Sequence, residues 1–382
     1  MIEKRTKSVG ILSMQRIINN GSFLQAYGLK KIIESLGNEV VFLDYKIEKP
    51  LIATKQERKR YKQLKCRNNI LNIIYKFRFM RRCFPDELKY YVDGRAQYEK
   101  SLKKYLGVKG KKNIRKEVDT LVIGSDEVFN CFQLNPYVGY SRELFGFNAH
   151  ANKKITYGAS FGNATLEKIV RKGKEEEISQ MLQEFNAISV RDNNSYGIVK
   201  SLISNEKEVA MHLDPVLMYD FTKENIEDVS ERNYIVVYAY RKRLTQDEIN
   251  VITDFAKRRN KKIISIGGYH AFSDIKFQGN PFKVLSYFKN ADYVFTDTFH
   301  GTIFSIIFHK RFITFIRNSQ NLEYGNNEKL SDLLEKLQLT ERCVTDYSLI
   351  DMVMDMDMPY EQVDKIIKEE RESTVNYLLK NI

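Results

Sequence analysis

This chain of 382 residues lacks long apolar stretches. A membrane-spanning helix needs about 20 apolar residues in a row, and no segment of the sequence approaches that length. Residues 1–7 lead directly into the apolar segment 9–12, and we recognise no signal peptide there. We therefore expect no membrane-spanning helix.

Cysteine and histidine are scarce, with four and five residues respectively. Neither metal-ligand spacing nor redox spacing occurs among the cysteines, which are Cys66, Cys83, Cys131 and Cys343. Scattered cysteines in a large chain are typical of reduced thiols in the cytosol. We predict a cytoplasmic protein with no metal site and no organic cofactor.

Acidic residues are fewer than basic ones, and the net charge is +13. A basic protein can serve nucleic acid, an anionic membrane surface or an anionic substrate. The basic residues are densest between Lys55 and Arg82, where Glu57 is the only acid beside eleven lysines and arginines. Four apolar residues of this segment could share one helix face: Ile70, Ile73, Ile74 and Phe77. This pattern predicts a basic amphipathic helix that either touches a membrane or packs on its own domain.

Apolar runs of strand length alternate with helical patterns along the chain. The predicted strands are residues 9–14, 40–45, 120–125, 155–160, 187–191, 209–213, 234–240, 262–267, 293–297 and 312–315. Strands that are apolar on both faces and separated by helices predict parallel sheets in an α/β fold, and the length suits two domains. We predict domains of residues 1–218 and 219–382, a basic helical insertion at about 50–115 and a final helix over 360–382.

The first helix is predicted from its caps and its apolar stripe. Ser22 is a candidate N-cap with Gln25 three residues later, as in a capping box. Gly37 is expected just beyond the end of the helix. Together with the strands on either side, this helix predicts one β-α-β unit.

Polar turns follow several predicted strands, and ligands of parallel sheets bind at these carboxyl ends. The turn Asn19-Asn20-Gly21-Ser22 offers a close approach and helix N–H groups to an anion, or is merely a capped helix. Ser125 and Asp126 can bind hydroxyls or cap the next helix. Arg191 can clamp a carboxylate or phosphate, or form a structural ion pair.

The strongest candidate is Thr296-Asp297-Thr298-Phe299-His300-Gly301, where an apolar strand ends before a helix predicted at 302–308. A histidine beside a glycine at such a turn can present an imidazole and backbone N–H groups to one anion. Histidine also exchanges protons near neutral pH. The alternative is a histidine that only stabilises the turn.

Six short motifs follow one another along the chain. They are Asn19-Asn20-Gly21-Ser22-Phe23-Leu24-Gln25-Ala26-Tyr27, Gly124-Ser125-Asp126-Glu127-Val128-Phe129-Asn130, Tyr157-Gly158-Ala159-Ser160-Phe161-Gly162, Ser189-Val190-Arg191-Asp192, Leu213-Asp214-Pro215-Val216-Leu217 and Thr296-Asp297-Thr298-Phe299-His300-Gly301-Thr302. In kind and order they resemble the motifs of the polysaccharide pyruvyl transferase family. The resemblance spans nearly the whole chain apart from the basic segment.

The sequence departs from that family's pattern at a few positions. Asn20 stands where an aromatic residue is usual, Glu127 replaces Gln, and Phe129 replaces Trp. Thr298 stands two positions before the histidine, where other members carry Arg. One cationic contact to the donor is therefore missing or supplied elsewhere.

The resemblance implies two Rossmann-like domains facing each other across a cleft, similar to B-type glycosyltransferases. It implies phosphoenolpyruvate as the donor and a sugar with two nearby hydroxyls as the acceptor. The acceptors it implies are often lipid-linked saccharides at the inner face of the cytoplasmic membrane, which would give the basic segment a purpose. The product would be a cyclic pyruvate ketal on a precursor of a surface polysaccharide such as a capsule.

The chemistry implied by the resemblance suggests a role for each site residue. We expect His300 to be the general acid or a phosphate contact, Arg191 to bind the donor, and Asp126 to act as the base. Ser125 would orient the attacking hydroxyl. The other residues expected to line the site are Asn19, Gly21, Ser22, Gly124, Thr298 and Gly301. Because the donor carries a carboxylate and a phosphate, we expect a cationic site.

Two other functions remain open on the sequence alone. A B-type glycosyltransferase that uses a nucleotide sugar would share the cleft and the basic strand ends. A non-enzymatic protein could bind a membrane or nucleic acid through the basic segment. No recognised nucleic-acid module is present, so we expect no nucleic-acid partner.

Overall fold

The computed structural model describes residues 6–66, 85–108, 116–316 and 327–382, and contains two parallel sheets. The first has six strands in the order β2-β1-β3-β4-β5-β6. Their bounds are β1 Ser8–Leu12, β2 Glu39–Phe42, β3 Val118–Asp126, β4 Ala151–Ala159, β5 Ile188–Val190 and β6 Val209–Met211. All neighbouring strands run parallel. For example, Val9 of β1 pairs in register with Val40 of β2 and with Thr120 of β3.

The second sheet has five strands in the order β11-β10-β7-β8-β9 and is also parallel throughout. The bounds are β7 Tyr234–Tyr238, β8 Lys262–Ile266, β9 Ile275–Phe277, β10 Tyr293–Thr296 and β11 Arg311–Thr314. The sequence did not predict β9, which has three half-buried residues at the sheet edge. The predicted α/β fold with two parallel sheets is confirmed.

Helices connect most successive strands and cover the sheets. Their bounds are α1 Asn20–Ser35, α2 Lys55–Cys66, α3 Pro85–Ser101, α4 Leu166–Arg171, α5 Glu175–Gln183, α6 Asn193–Leu202, α7 Pro215–Met218, α8 Gln246–Arg258, α9 Pro281–Asn290, α10 Phe299–Ile307, α11 Asn327–Lys336, α12 Ile350–Asp355 and α13 Tyr360–Asn381. The described part of the chain contains no helix that is long and apolar enough to cross a membrane.

The start of α1 differs from the prediction. Asn19, not Ser22, is the N-cap, since its side chain accepts a hydrogen bond from the Ser22 backbone N–H. Gln25 forms no capping box, because its amide donates to Ser13 Oγ and its carbonyl accepts from the Ser125 N–H. The helix therefore begins earlier, and the Ser22 hydroxyl is available for another partner.

An aromatic cluster joins the two sheets. Tyr27 of α1 packs edge-on against Phe282 of α9, with ring centroids 5.1 Å apart. Phe23 and Tyr105 also contact Phe282. Because these rings lie in one buried cluster, the α1 side of the first sheet stays next to the second sheet.

The last helix also connects the two parts of the fold. All strands of the first sheet precede residue 218 and all those of the second follow it. Helix α13 nevertheless returns to the first sheet, where Tyr377 donates to the Thr156 carbonyl and Thr374 bonds the Tyr157 hydroxyl. The chain thus crosses between the two parts twice.

The basic insertion is described only at its ends. Helix α2 contains Lys55, Arg58, Lys59 and Lys62 on exposed positions. Helix α3 follows residue 84 and contacts the second sheet, where Tyr90 donates to the Phe277 carbonyl. The predicted amphipathic face from Ile70 to Phe77 lies outside the described residues.

Candidate functional site

Polar ends of both sheets meet at one place. The first sheet contributes the residues that follow β1, β3, β5 and β6, and the second contributes the start of α10. Carboxyl ends of parallel strands are where such folds bind ligands. The three predicted catalytic residues, Asp126, Arg191 and His300, lie together there, around Asp214.

Asp126 ends β3 in a left-handed conformation, with a φ of +77°. Its Oδ2 accepts a hydrogen bond from Ser22 Oγ at 2.6 Å, and its Oδ1 accepts one from Arg191 Nη2 at 3.2 Å. Burial opposes ionisation, but the charges of Arg191 and His300 hold the pKa of Asp126 below its ordinary value. The group is therefore a carboxylate at neutral pH.

Arg191 follows β5 and is almost fully buried. Its Nη1 donates to Asp214 Oδ2 at 2.7 Å, so the guanidinium bridges Asp214 and Asp126. Its centre lies 4.9 Å from the centroid of the Phe299 ring. Burial alone would lower the pKa of Arg191, but the two carboxylates raise it above the usual value. Its Nε has no hydrogen-bond partner among the described residues.

Asp214 is a site residue that the sequence did not single out. It follows β6, is 1% exposed, and caps α7 by accepting from the Val216 N–H at 3.0 Å. Its burial is outweighed by His300 and Arg191, which keep the pKa of its carboxyl low. The signal that could have found it is the motif Leu213-Asp214-Pro215-Val216-Leu217, in which the aspartate follows a predicted strand.

His300 lies in the first turn of α10, with a side chain that is 11% exposed. Its Nε2 is 3.5 Å from Asp214 Oδ2, an ion-pair distance that is long for a hydrogen bond. A Cβ atom at Gly21 would collide with Nδ1 of the ring. The first turn of α1 therefore packs directly against the imidazole, which explains the glycine at position 21.

Thr298 and Gly301 shape the turn that holds His300. Thr298 is buried and caps α10, since its Oγ1 accepts from the Gly301 N–H at 2.9 Å. A Cβ at Gly301 would collide with Thr296 Oγ1. Helix α10 thus begins at Phe299, not at Thr302 as predicted, and the Gly301 N–H is used inside the turn.

Gly124 and Ser125 build the end of β3. A Cβ at Gly124, whose φ is +131°, would collide with the Tyr157 carbonyl. Ser125 is fully buried and donates its hydroxyl to the Gly158 carbonyl at 2.9 Å. Both residues therefore hold the strand end that presents Asp126, and the Ser125 hydroxyl is engaged by the backbone of β4.

Asn19 connects the two sheets at the rim of the site. Its side-chain amide donates to the Tyr240 hydroxyl at 2.5 Å, while its oxygen caps α1. Tyr240 follows β7 of the second sheet. Asn19 is therefore held by structural contacts on both sides.

A cavity of about 290 Å³ lies beside these residues. Its lining includes Arg191, His212, Asp214, Phe299, Lys329 and Lys336. Its volume is near the lower end of the roughly 300–1,000 Å³ of small-molecule pockets. It therefore suits a small ligand.

The charges of the described site are closer to balanced than we expected. Asp126, Asp214 and Glu127 are opposed by Arg191 and Lys329, with a further charge on His300 when it is protonated. These residues thus show no excess of positive charge, because buried arginine and lysine each recruit carboxylates. Within these residues no group of three histidines, cysteines or carboxylates could hold a metal ion.

Solved structures with similar chain paths share little sequence with this protein. An S. aureus MnaA–UDP structure has a TM-score of 0.45 and 11% identity, covering 99% of this chain and 98% of that one. The glycotransferase of kitacinnamycin has a TM-score of 0.48 and 8% sequence identity, and the match covers 99% of this chain and 100% of that one. A third structure is a UDP-forming trehalose-phosphate synthase from Burkholderia xenovorans in complex with glucose-6-phosphate. Its TM-score is 0.48 and its sequence identity 9%, and the match covers 99% of this chain and 98% of that one. Likenesses of this size carry no argument about function.

No curated protein matches the sequence significantly. A family model described as polysaccharide pyruvyl transferase matches residues 19–319. This range begins at the turn after β1, ends beyond β11 and includes Asp126, Arg191 and His300. Since the match covers most of the chain, this protein belongs to the polysaccharide pyruvyl transferase family.

Proposed function

We propose that this protein moves pyruvate from phosphoenolpyruvate onto two hydroxyls of one sugar in a surface-polysaccharide precursor. Membership of the family supports pyruvyl transfer to a polysaccharide. The observation that carries the finer proposal is the chain of ion pairs that runs from Asp126 through Arg191 and Asp214 to His300 beside a small cavity. This arrangement combines a base, an anion-binding group and a proton donor.

The reaction balances without a redox step. A proton adds to the methylene carbon of phosphoenolpyruvate, and positive charge develops on the central carbon. One sugar hydroxyl attacks this carbon and loses its proton. Phosphate then leaves, the second hydroxyl closes the ring, and its proton goes to the phosphate released. The products are a cyclic ketal and inorganic phosphate.

His300 is the proton donor in this scheme. Its ring is clamped between Gly21 and Asp214, so its orientation is set before the substrate arrives. To donate a proton, the ring must react as the imidazolium ion. In the alternative role, the same imidazolium ion holds the phosphate group while that group leaves. This role uses the same position of the His300 ring.

Asp126 takes the proton from the attacking hydroxyl. Its lowered pKa keeps it ionised, as a base requires at neutral pH. Ser22 and Arg191 each occupy one of its oxygens, which orients the carboxylate. Ser125 supports this residue through the backbone, since its own hydroxyl points inward.

Arg191 binds the donor through Nε. Its Nη1 and Nη2 already donate to Asp214 and Asp126. Its Nε is buried without a partner among the described residues and can donate to the donor's carboxylate. An unpartnered buried donor is costly, so filling it on binding contributes to affinity.

The acceptor in this proposal is a lipid-linked sugar. Such an acceptor would bring the enzyme to the inner face of the cytoplasmic membrane, where basic residues are attracted to anionic lipids. The exposed cations of α2 support a peripheral contact of this kind. The transferase itself needs no organic cofactor under this scheme.

Phosphate release from phosphoenolpyruvate, measured across a panel of lipid-linked sugars, tests the proposal. We expect His300→Ala and Arg191→Ala to lower turnover by at least about 100-fold, as for the loss of a general acid or an electrostatic contact. His309→Ala and Arg171→Ala are the matched controls, because the His309 side chain is half exposed and the Arg171 side chain is mostly exposed. Circular dichroism checks folding, and Arg191→Lys provides a second variant if Arg191→Ala unfolds.

Near wild-type turnover in a folded His300 variant would remove it from the mechanism. Calorimetry separates the main rival, since a B-type glycosyltransferase would bind a nucleotide sugar and ignore phosphoenolpyruvate. If no acceptor supports phosphate release and a nucleotide sugar binds, the proposed function is wrong.

A further inference from the structure

Helix α3 of the insertion lies between residues of the two sheets. On the side of the second sheet, the Tyr90 hydroxyl donates to the Phe277 carbonyl at 3.2 Å. A Cβ atom at Gly94 would collide with Gln278, so the helix packs closely on the residues that follow β9. These contacts fix the place of α3 relative to the second sheet.

On its other side, α3 reaches the turn that follows β1 through Tyr98. The Tyr98 hydroxyl lies 2.7 Å from the Ile17 carbonyl oxygen and 2.9 Å from that of Asn19, and its one hydrogen is shared between them. The side chain is buried, and its ring packs edge-on against Phe23 of α1. Burial raises the pKa of Tyr98, so the hydroxyl stays a donor at neutral pH. The insertion thus holds the turn at residues 17–19 by its backbone.

The residues directly after this turn contact two of the proposed catalytic groups. Gly21 packs against the His300 ring, since an added Cβ would collide with Nδ1. Ser22 donates its hydroxyl to Asp126 Oδ2 at 2.6 Å. Both residues lie in the first turn of α1, whose N-cap is Asn19. A shift of the turn would therefore move the contacts that orient the imidazole and the carboxylate.

We propose that Tyr98 is a positioning residue for the transfer reaction and acts on His300 and Asp126 through the turn at residues 17–19. The roles of His300 and Asp126 rest on the proposed function. The Tyr98 hydroxyl is occupied by backbone carbonyls, so it takes no part in proton transfer. Loss of this hydroxyl should therefore lower kcat more than it raises the KM for phosphoenolpyruvate. The insertion then supports the active site as well as the membrane contact.

Tyr98→Phe tests this role, because it removes the hydroxyl and keeps the ring contact with Phe23. Tyr234→Phe is the matched control, since Tyr234 is fully buried and donates to the Tyr287 carbonyl at 2.9 Å. Tyr234 begins β7, at the opposite end of the strand from the site. Each variant loses one buried donor, so urea denaturation should show similar losses of stability. In the phosphate-release assay only Tyr98→Phe should lower kcat, by about tenfold, with the KM for phosphoenolpyruvate changed by less than about twofold.

The position of the His300 ring can also be followed without turnover. Its centroid lies 5.4 Å from that of Phe299 and 6.2 Å from that of Phe304. The ring currents of these neighbours make the NMR signals of the imidazole protons sensitive to the position of the imidazole. His300→Ala identifies the signals by their loss. We expect them to shift in Tyr98→Phe and to keep their wild-type values in Tyr234→Phe.

Three outcomes would overturn the role of Tyr98. If the wild type transfers pyruvate and Tyr98→Phe keeps the wild-type kcat, the hydroxyl is only structural and the proposed function stands. An equal loss of kcat in Tyr234→Phe would assign the effect to stability. If the wild type shows no turnover with any acceptor, the proposed function fails, and unchanged His300 signals in Tyr98→Phe would separately overturn the positioning role.

Discussion

At the scale of single residues, the site depends on close packing around one imidazole ring. His300 is fixed by Gly21 on one side and by the Asp214 carboxylate on the other. The sequence predicted His300, Asp126 and Arg191 as neighbours because each follows an apolar strand of a parallel sheet. It did not predict Asp214, since an Asp-Pro pair after a strand is also a common way to begin a short helix.

Gly21→Ala should damage the site without removing any functional group. The added methyl would collide with the His300 ring, which must move. Misplacing a catalytic group by about 1 Å can cost about 100-fold in rate, and overpacking typically costs about 1–3 kcal/mol of stability. We expect kcat to fall by roughly 10- to 100-fold in the phosphate-release assay.

Gly197→Ala is the matched control for this substitution. Gly197 lies in α6, and a Cβ there would meet nothing within 4 Å. Alanine in a helix is favoured over glycine by about 1 kcal/mol, so this variant should be slightly more stable and fully active. Full activity in Gly21→Ala would show that the ring has room to move.

At the scale of secondary structure elements, the docking of α13 on the first sheet involves a buried histidine. His212 follows β6, is 4% exposed, stacks on Tyr157 and makes a tilted ring contact with Tyr377. Its Nδ1 is 2.7 Å from Ser189 Oγ. Burial, with a smaller contribution from Lys336, lowers the pKa of His212 from 6.5 to about 4. The helix is therefore packed against a neutral imidazole.

This histidine predicts a loss of stability in mild acid. The unfolded chain binds a proton at His212 near pH 6.5, while the folded chain resists it until about pH 4. The contribution of the neutral His212 to the free energy of unfolding is thus complete above pH 6.5 and is lost as the pH falls towards 4. The free energy of unfolding should drop by up to about 3 kcal/mol over this range. Urea denaturation at several pH values measures it.

His212→Phe provides the comparison, because phenylalanine keeps the ring contacts and cannot titrate. Between pH 6.5 and 4.5 the unfolding free energy of this variant should fall less steeply than that of the wild type. The two slopes should differ by up to about 1.4 kcal/mol per pH unit. Parallel slopes for the two proteins would show that other groups cause the acid sensitivity.

At the scale of the whole molecule, the net charge of +13 is not concentrated at the described active-site residues. The described site is nearly balanced, and exposed cations are found on α2 instead. Each basic residue near an anionic bilayer is worth about 1 kcal/mol. This distribution favours a surface contact over substrate attraction as the reason for the basic composition.

Replacing four exposed cations of α2 by glutamine should weaken binding to phosphatidylserine vesicles by at least tenfold. The residues are Lys55, Arg58, Lys59 and Lys62. Wild-type binding should also weaken with added salt, because exposed charges are screened. Vesicle sedimentation measures both effects.

The control for this experiment changes the charge equally at exposed positions elsewhere. Suitable lysines are Lys223, Lys365, Lys368 and Lys380. If both sets of substitutions act alike, the attraction depends on net charge alone. If neither alters vesicle binding, α2 does not contact the membrane.

The sequence by itself determined the fold class and the family. Strands that are apolar on both faces report burial under helices, and this pattern is local, so it can be seen without the tertiary structure. The carboxyl ends of those strands then marked Asp126, Arg191 and His300 as candidates. The short, half-buried β9 was missed because its pattern is too weak to stand out.

Only the tertiary structure decided what each polar side chain contacts. Ser125 turns inward to Gly158, Asp214 joins Arg191 to His300, and Lys329 of α11 reaches Glu127. These partners lie far apart in the chain and meet through the packing of whole elements. A local pattern records which positions are buried, whereas the direction of a side chain and its partner depend on segments that the pattern does not contain.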